Sequence, residues 1–255
     1  AITVIRSGAL PDVDFRDPNV AAAVRAAFAD RPVDYALQPA RPRAKRLLVA
    51  DMDSTIVTGE TLDEMAALAG IGEKIARITA RAMNGELDFK AALRERVGLL
   101  AGMDADMLAE AYAGVEITPG AETLVRAMRR AGADCRLVSG GFKFFTSRVA
   151  SRLGFNGDQA NDIEIQDGKL TGRVIEPILD SGAKVAALER HAAALGLGLD
   201  AVLAVGDGAN DLPMLLKAGL GVAWRAKPSV AAVARARVDH GDLTTLLLFQ
   251  RLDPA

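Results

Sequence analysis

Three short apolar runs, RLLVA (residues 46–50), CRLVS (135–139) and AVLAV (201–205), each stop at small or acidic residues: DMD, GG and GDG. Apolar runs of this length that end so abruptly read as strands buried on both faces. Helical patterns separate them, over 119–131 with Pro119 in the first turn, through KFFTSRVASRLG (143–154) and near 183–195. A further helix follows Asn210, and LGVAW (220–224) reads as one more short strand. Strands alternating with helices imply an α/β fold with a doubly wound parallel sheet. DIEIQDGKLTGRVIEP (162–177) alternates about Asp167-Gly168, the sign of a β-hairpin.

Between the first strand and its next partner the pattern is helical throughout, so residues 59–114 read as an inserted helical cap on a core made of 46–58 and 115–255. Residues 1–45 read as an N-terminal appendage of unknown role. PDVDFRDP and LQPARPRAKR are rich in proline and charge, and flank one Ala-rich helical stretch, Val20 to Ala29. The expectation is an extension packed passively on the core. The whole chain, 255 residues and 50% hydrophobic, is long enough to bury such a core.

Charge and cysteine content narrow the function classes. A net charge of −2 with mixed signs argues against a general nucleic-acid binder. No apolar run approaches the roughly 20 residues needed to span a bilayer, so no membrane role is expected. The single cysteine, Cys135, excludes an internal disulfide framework and fits a reducing, cytoplasmic location. Its setting in a buried strand makes it core packing rather than a nucleophile. The two histidines, His191 and His240, stand far apart without other ligand types nearby, which argues against zinc. They read as solvated or capping residues.

In a doubly wound sheet, ligands bind beyond the carboxyl ends of the strands. Asp51 and Asp53 end one strand, and Asp207 and Asp211 follow another. Four acids converging without His or Cys describe a site for a hard cation, with Mg²⁺ the usual one for phosphate chemistry. For any one Asp, a helix N-cap is the simpler reading. For two pairs, each at a strand end, it is the weaker one. Ser139, Gly140 and Gly141 offer a hydroxyl and bare backbone amides at a helix start, a natural phosphate cradle. Lys184 opens a helix, where the macrodipole disfavours a cation unless an anion is close.

DMDST, SGG, the downstream Lys184 and GDGAND resemble, in order and spacing, the four motifs of the haloacid dehalogenase superfamily of phosphotransferases. More narrowly, DMDSTIVTGETLDEMA, LRERVGLLAG, VSGGF and AVGDGANDLPML are similar to the phosphoserine phosphatases of that superfamily. The resemblance runs from about Arg46 to the C-terminus and leaves out residues 1–45. It implies a Mg²⁺-dependent hydrolysis of O-phosphoserine through an aspartyl-phosphate, the last step of serine biosynthesis. Asp51 resembles the nucleophile and Asp53 the general acid, which then deprotonates the attacking water. Their two-residue offset would aim both carboxylates to one side of an extended segment. Their environments should hold Asp51 ionised and Asp53 protonated at the first step. The resemblance also implies that Asp51, Asp207 and the backbone carbonyl of Asp53 bind the metal, with Asp211 supporting its water shell. Asn210 and Lys184 would neutralise and orient the phosphoryl group, while Ser139 and Gly140 hold its oxygens.

One cap residue is odd on physical grounds. Taking about 100° per residue from Phe89, Leu93 and Leu100 fall within about 40°, on one apolar face. Arg96 falls inside that face, at about −20°, while Arg94 points away at about 140°. A guanidinium in an inward stripe requires an acidic partner: an internal salt bridge, or a substrate carboxylate held bidentately. The resemblance favours the substrate. It likewise implies that Glu60, which opens a helix where acids are common, binds the serine ammonium. Met83 and Phe89 match positions that enclose substrate with apolar surface, although each could equally be cap core. Two rivals remain at this point: transfer of the phosphoryl group to an acceptor alcohol such as homoserine, and a catalytically silent sensor of a phospho-amino acid.

Overall fold

The computed structural model describes residues 18–28, 31–38, 43–83 and 86–254. Its first half runs α1 (Pro18–Phe28), β1 (Tyr35–Ala36), β2 (Leu47–Ala50), α2 (Thr61–Leu68), α3 (Gly72–Met83), α4 (Phe89–Gly98), α5 (Met107–Ala113), α6 (Ala121–Arg130) and β3 (Asp134–Phe142). There follow α7 (Lys143–Leu153), β4 (Gly157–Gln166), β5 (Lys169–Ile175), α8 (Ser181–Ala194), β6 (Val202–Gly206), α9 (Leu212–Lys217), β7 (Leu220–Trp224), α10 (Pro228–Ala231), β8 (Ala236–Val238) and α11 (Thr245–Gln250).

The strands form one sheet in the order β1-β8-β7-β6-β2-β3-β4-β5. β2 lies between β3 and β6 and pairs in parallel with both, Leu47 aligning with Asp134 on one side and Val202 on the other. Successive crossovers therefore leave β2 in opposite directions, the switch point at which a crevice opens beyond the strand ends. β2, β6 and β7 are buried at every residue, which explains why they read as unbroken apolar runs. Two apolar clusters flank the sheet. One gathers Leu48, Leu137, Val205 and the inward faces of α6, α7 and α11; the other gathers Leu47, Val49, Val202, α8 and α9. Cys135 is fully buried in the first, as core packing.

The helices α2–α5 enter and leave through a neck. Val57 and Ile117 form an antiparallel bridge, the Thr58 amide donates to Glu116 O and the Thr118 amide donates to Ile56 O, both at 3.0 Å. The hairpin β4–β5 turns at Asp167-Gly168, both with positive φ (51° and 76°), as its sequence implies. It also braces the helical insertion. The amides of Gly102 and Ala105 donate to Leu170 O and Gly168 O, and Leu170 donates back to Met103 O, each at 2.8 Å. Gly172 is what allows this approach: a β-carbon there would stand 2.8 Å from Ala101 Cβ.

Three expectations need correction. Pro119 lies ahead of α6, whose N-cap is Gly120, and not in its first turn. The strand expected to stop at Ser139 continues to Phe142, so Gly140 and Gly141 are extended backbone rather than a helix start. Part of the N-terminal stretch is built into the sheet, because β1 pairs antiparallel with β8. Beside it, the Asp34 carboxylate accepts the amides of Asp239, His240 and Gly241 at 2.7–3.1 Å. Neither β1 nor β8 is long enough to give a periodic signal. PDVDFRDP lies outside the described residues apart from Pro18, as do residues 39–42 of the second proline-rich stretch. Among the described residues no helix is long and apolar enough to cross a membrane.

Candidate active site

Asp51 is the residue after β2, with extended backbone (φ −71°, ψ 159°). Asp53 is also extended (φ −64°, ψ 138°), but Ser54 turns left-handed (φ 53°) and the Val57 amide closes the loop onto Met52 O. The expected extended segment is therefore confined to the two acids themselves. β6 ends at Gly206, directly beside β2, and its following turn carries Asp207 and Asp211. A side chain at 206 would overlap Asp211, so glycine lets that carboxylate fold back toward β2.

The result is a buried charge network. Lys184 Nζ lies 2.7 Å from Asp51 Oδ1 and 2.6 Å from Asp211 Oδ1. All three side chains are 7% exposed or less. The other Asp211 oxygen accepts the Gly208 amide at 3.0 Å. Lys184 stands in the first turn of α8, whose N-cap Asp180 accepts the Ala183 amide. The anion that its unfavourable helix position called for is the Asp51–Asp211 pair. Burial alone would lower the Lys184 pKa, but the two carboxylates outweigh it and hold it above the usual lysine range.

Asp51, Asp207 and Asp211 each bring a carboxylate oxygen within 4.8 Å of the others. The donors are all hard oxygens, and Lys184 pairs with only two of the three carboxylates. That set fits a divalent hard cation. The chain's own charges show the same need. Burial, then Asp211, pushes the Asp51 carboxyl well above the ordinary range, against the partial offset of Lys184. Burial and Asp211 raise Asp207 to about 6. The Asp53 carboxylate stands outside this trio. Its Oδ1 accepts the Thr61 amide at 2.9 Å and its Oδ2 accepts the Ser139 hydroxyl at 3.3 Å. Burial and Glu60 raise it to about 6. Burial thus pushes both acids in the same direction, while only Asp51 has a cation, Lys184, against its carboxylate.

Ser139 and Gly140 lie near the end of β3, with Ser139 beside Asp53, but the Gly141 amide is not bare: it donates to Ser139 Oγ at 2.9 Å. Asn210 lies half-buried in the β6–α9 turn. Across the crevice, Phe89 begins α4 and its ring reaches Gly140. Glu60 is exposed at the start of α2 and accepts the Ser54 hydroxyl at 2.6 Å. Met83 ends α3, and its side chain lies outside the described residues. Arg96 is half-buried, donates through Nε to Ala92 O at 3.3 Å, and has no carboxylate within 4.0 Å among the described residues. Among the described residues no internal salt bridge is made to it. Burial lowers its pKa, while Asp63 and Glu60 pull the other way. Arg94 points outward, paired with Glu176 at 2.6 Å.

The family model of haloacid dehalogenase-like hydrolases matches residues 48–216. The chain belongs to this family. Among its relatives, the phosphoserine phosphatase of Streptomyces coelicolor is 48% identical over 205 residues, 80% of this chain and 50% of that protein. The chain thus spans about half the length of that relative. A solved haloacid dehalogenase family hydrolase from Salmonella enterica serovar Typhi superposes with a TM-score of 0.87 at 33% identity, covering 95% of this chain and 83% of that one. A substrate-bound phosphoserine phosphatase superposes with a TM-score of 0.75 at 38% identity, covering 80% of this chain and 98% of that one.

Within this haloacid dehalogenase-like site, three contributors were not singled out from sequence. Thr61 supplies its amide to Asp53, and Thr55 donates its hydroxyl to Asp207 at 3.4 Å. Asn161, 2% exposed, donates to Gly140 O at 2.8 Å and accepts the Leu179 amide at 2.6 Å. It ties the end of β3 to the segment that leads into α8. None of the three carries a local sequence signal, unlike Asp180, the N-cap of α8, which stands as an acid ahead of a helical run.

Proposed function

We propose that this chain hydrolyses O-phosphoserine to serine and phosphate. The observation that carries the reading is Asp51, buried at the end of β2, paired with Lys184 and grouped with Asp207 and Asp211. In this reading Asp51 attacks phosphorus and carries the phosphoryl group as an aspartyl-phosphate. Asp53, raised toward neutrality by burial, protonates the seryl oxygen and later takes a proton from water. Lys184, Asn210, Ser139 and Gly140 hold the phosphoryl oxygens. Mg²⁺, held by Asp51, Asp207 and the Asp53 carbonyl with Asp211 behind it, would offset the charge between nucleophile and substrate. Residues 59–114 act as the cap, where Arg96 reads the substrate carboxylate, Glu60 its ammonium, and Phe89 and Met83 close over it. The similarity to phosphoserine phosphatases supports the choice of substrate, and the reducing cytoplasm suits a chain whose one cysteine is buried and free.

The test is phosphate release from phosphoserine, phosphothreonine, phosphoethanolamine and sugar phosphates, with Mg²⁺ and with a chelator. Metal-dependent release with phosphoserine preferred is expected. Release favouring a sugar phosphate, or none at all, would overturn the substrate assignment.

A further inference from the structure

On the face of the sheet covered by α8 lies a cleft of about 190 Å³, lined by Arg136, Gly157, Gln159, Arg190 and His191. It is separate from the site above. His191 stands seven residues along α8 from Lys184, roughly 10 Å at the helical rise. Gly157 makes room for it, since a β-carbon there would stand 2.5 Å from Arg136 Nη1. The Arg136 guanidinium lies across that glycine, held bidentately by Asp134 and by Asn156 O at 3.2 Å. Three of its five N–H groups are thus used and two remain. Arg190 donates to Gln159 Oε1 at 2.6 Å and forms no ion pair with a carboxylate among the described residues.

The acids nearby are already spent. Asp134 is taken up by Arg136. Asp158 contributes backbone to the cleft, while its carboxylate turns to the α7 side, where it meets Lys143, Thr146 and Ser147. The cleft therefore presents two guanidiniums and an imidazole, with one net positive charge when His191 is neutral. We propose that it is a second binding site, for a small oxyanion of the phosphate class. Planar guanidiniums with spare donors suit tetrahedral oxyanions. The missing carboxylate disfavours a zwitterion, whose ammonium would find no partner. The C-terminal half of α8 opposes an anion through its dipole, which is a weak effect at a partly exposed site. Charge-assisted bonds from two guanidiniums outweigh it.

The chain supplies its own probe. His191 and His240 are the only histidines, and His240 is exposed elsewhere. Burial lowers the His191 pKa, Arg136 and Arg190 lower it further, and Asp134 opposes them. An anion seated between the arginines would reverse their effect. NMR titration of the two imidazoles in the full chain, with inorganic phosphate replacing chloride at constant ionic strength, should raise the His191 pKa by about one unit. The response should saturate, leave His240 unmoved and be lost in Arg190→Gln. Serine at the same concentration should leave His191 unchanged. No saturable response, or one that persists in Arg190→Gln, would overturn the proposal. The second outcome would trace the effect to phosphate at Lys184, which that variant retains.

Discussion

The ring of Phe89, in the first turn of α4, lies over Gly140, its Cζ 3.1 Å from where a β-carbon on residue 140 would stand. The insertion thus touches the C-terminal part of β3 through an aromatic edge. Alanine at 140 requires the ring, and the helix carrying it, to give way by a few tenths of an ångström. Gly140→Ala should lower kcat/KM for phosphoserine about tenfold, near 1.4 kcal/mol, with little change in Tm. Phe89→Leu removes the edge that clashes, so the double variant should recover part of the loss. Strictly additive losses would mean that the two residues do not act through this contact.

Lys184 pairs with two buried carboxylates, Asp51 and Asp211, and its removal should be felt first in stability. Lys184→Met leaves Asp51 and Asp211 facing each other without water, an effect of about 3–5 kcal/mol for a broken buried pair. The pH dependence has a definite sign. A carboxyl whose folded pKa is raised contributes stability below its unfolded pKa and loses it as pH rises through the folded value. Asp51 is already raised, and loss of Lys184 raises it further. The deficit should therefore be larger at pH 8 than at pH 5. Mg²⁺ should increase the melting temperature of the variant more than that of the wild type. Melts at both pH values, with and without Mg²⁺, check all three statements.

Much of this site was legible because its chemistry sits where strands stop. Asp51 and Asp207 follow apolar runs directly, so the topology rule alone places them together. Arg96 stood out because a charge on an apolar helical face is costly without a partner, and it is indeed half-buried. What escaped depended on register. Asn161 reaches Gly140 only because β3 and β4 shift alignment between Val138 and Phe142, and no local pattern announces that irregularity. Ser139-Gly140-Gly141 looked like a turn into a helix, yet Ser139 satisfies the Gly141 amide and the backbone stays extended. The edge of the sheet failed for a different reason. β1 has two residues and β8 three, too few for a period to show, and Asp34 reaches Asp239 across 205 positions.

Asp53 and Asp51 should separate under substitution. Asp53→Asn keeps an acceptor for the Thr61 amide but cannot protonate a leaving oxygen. Hydrolysis of phosphoserine should fall by about 10²–10⁴-fold. An aryl phosphate, whose leaving oxygen needs little protonation, should lose much less. Asp51→Asn should stop both, because an amide cannot form the acyl-phosphate. Parallel assays on the two substrates decide the matter, and equal losses in Asp53→Asn would make Asp53 a positioning group for the Thr61 end of α2.

The proposed function assigns the choice of substrate to Arg96. Its guanidinium is half-buried and lacks a carboxylate within ion-pair distance among the described residues, while Asp63 and Glu60 influence it from further off. A ligand carboxylate would complete it with charge-assisted bonds in a partly desolvated setting. Arg96→Ala should cost on the order of 2–5 kcal/mol in kcat/KM for phosphoserine, the range for truncating one partner of a buried charge pair. Phosphoethanolamine keeps the amine and the phosphate but has no carboxylate, so it should be hydrolysed almost as well by the variant as by the wild type. Arg96→Lys keeps the charge and loses the planar fork, and should fall between the two. Glu60→Gln should impair both substrates, because both carry the ammonium group. Thermal melts run beside the kinetics separate unfolding from lost recognition. If Arg96→Ala lowers both substrates equally while remaining folded, the residue supports the helical insertion rather than reading the substrate, and the preference for phosphoserine must arise elsewhere in the crevice.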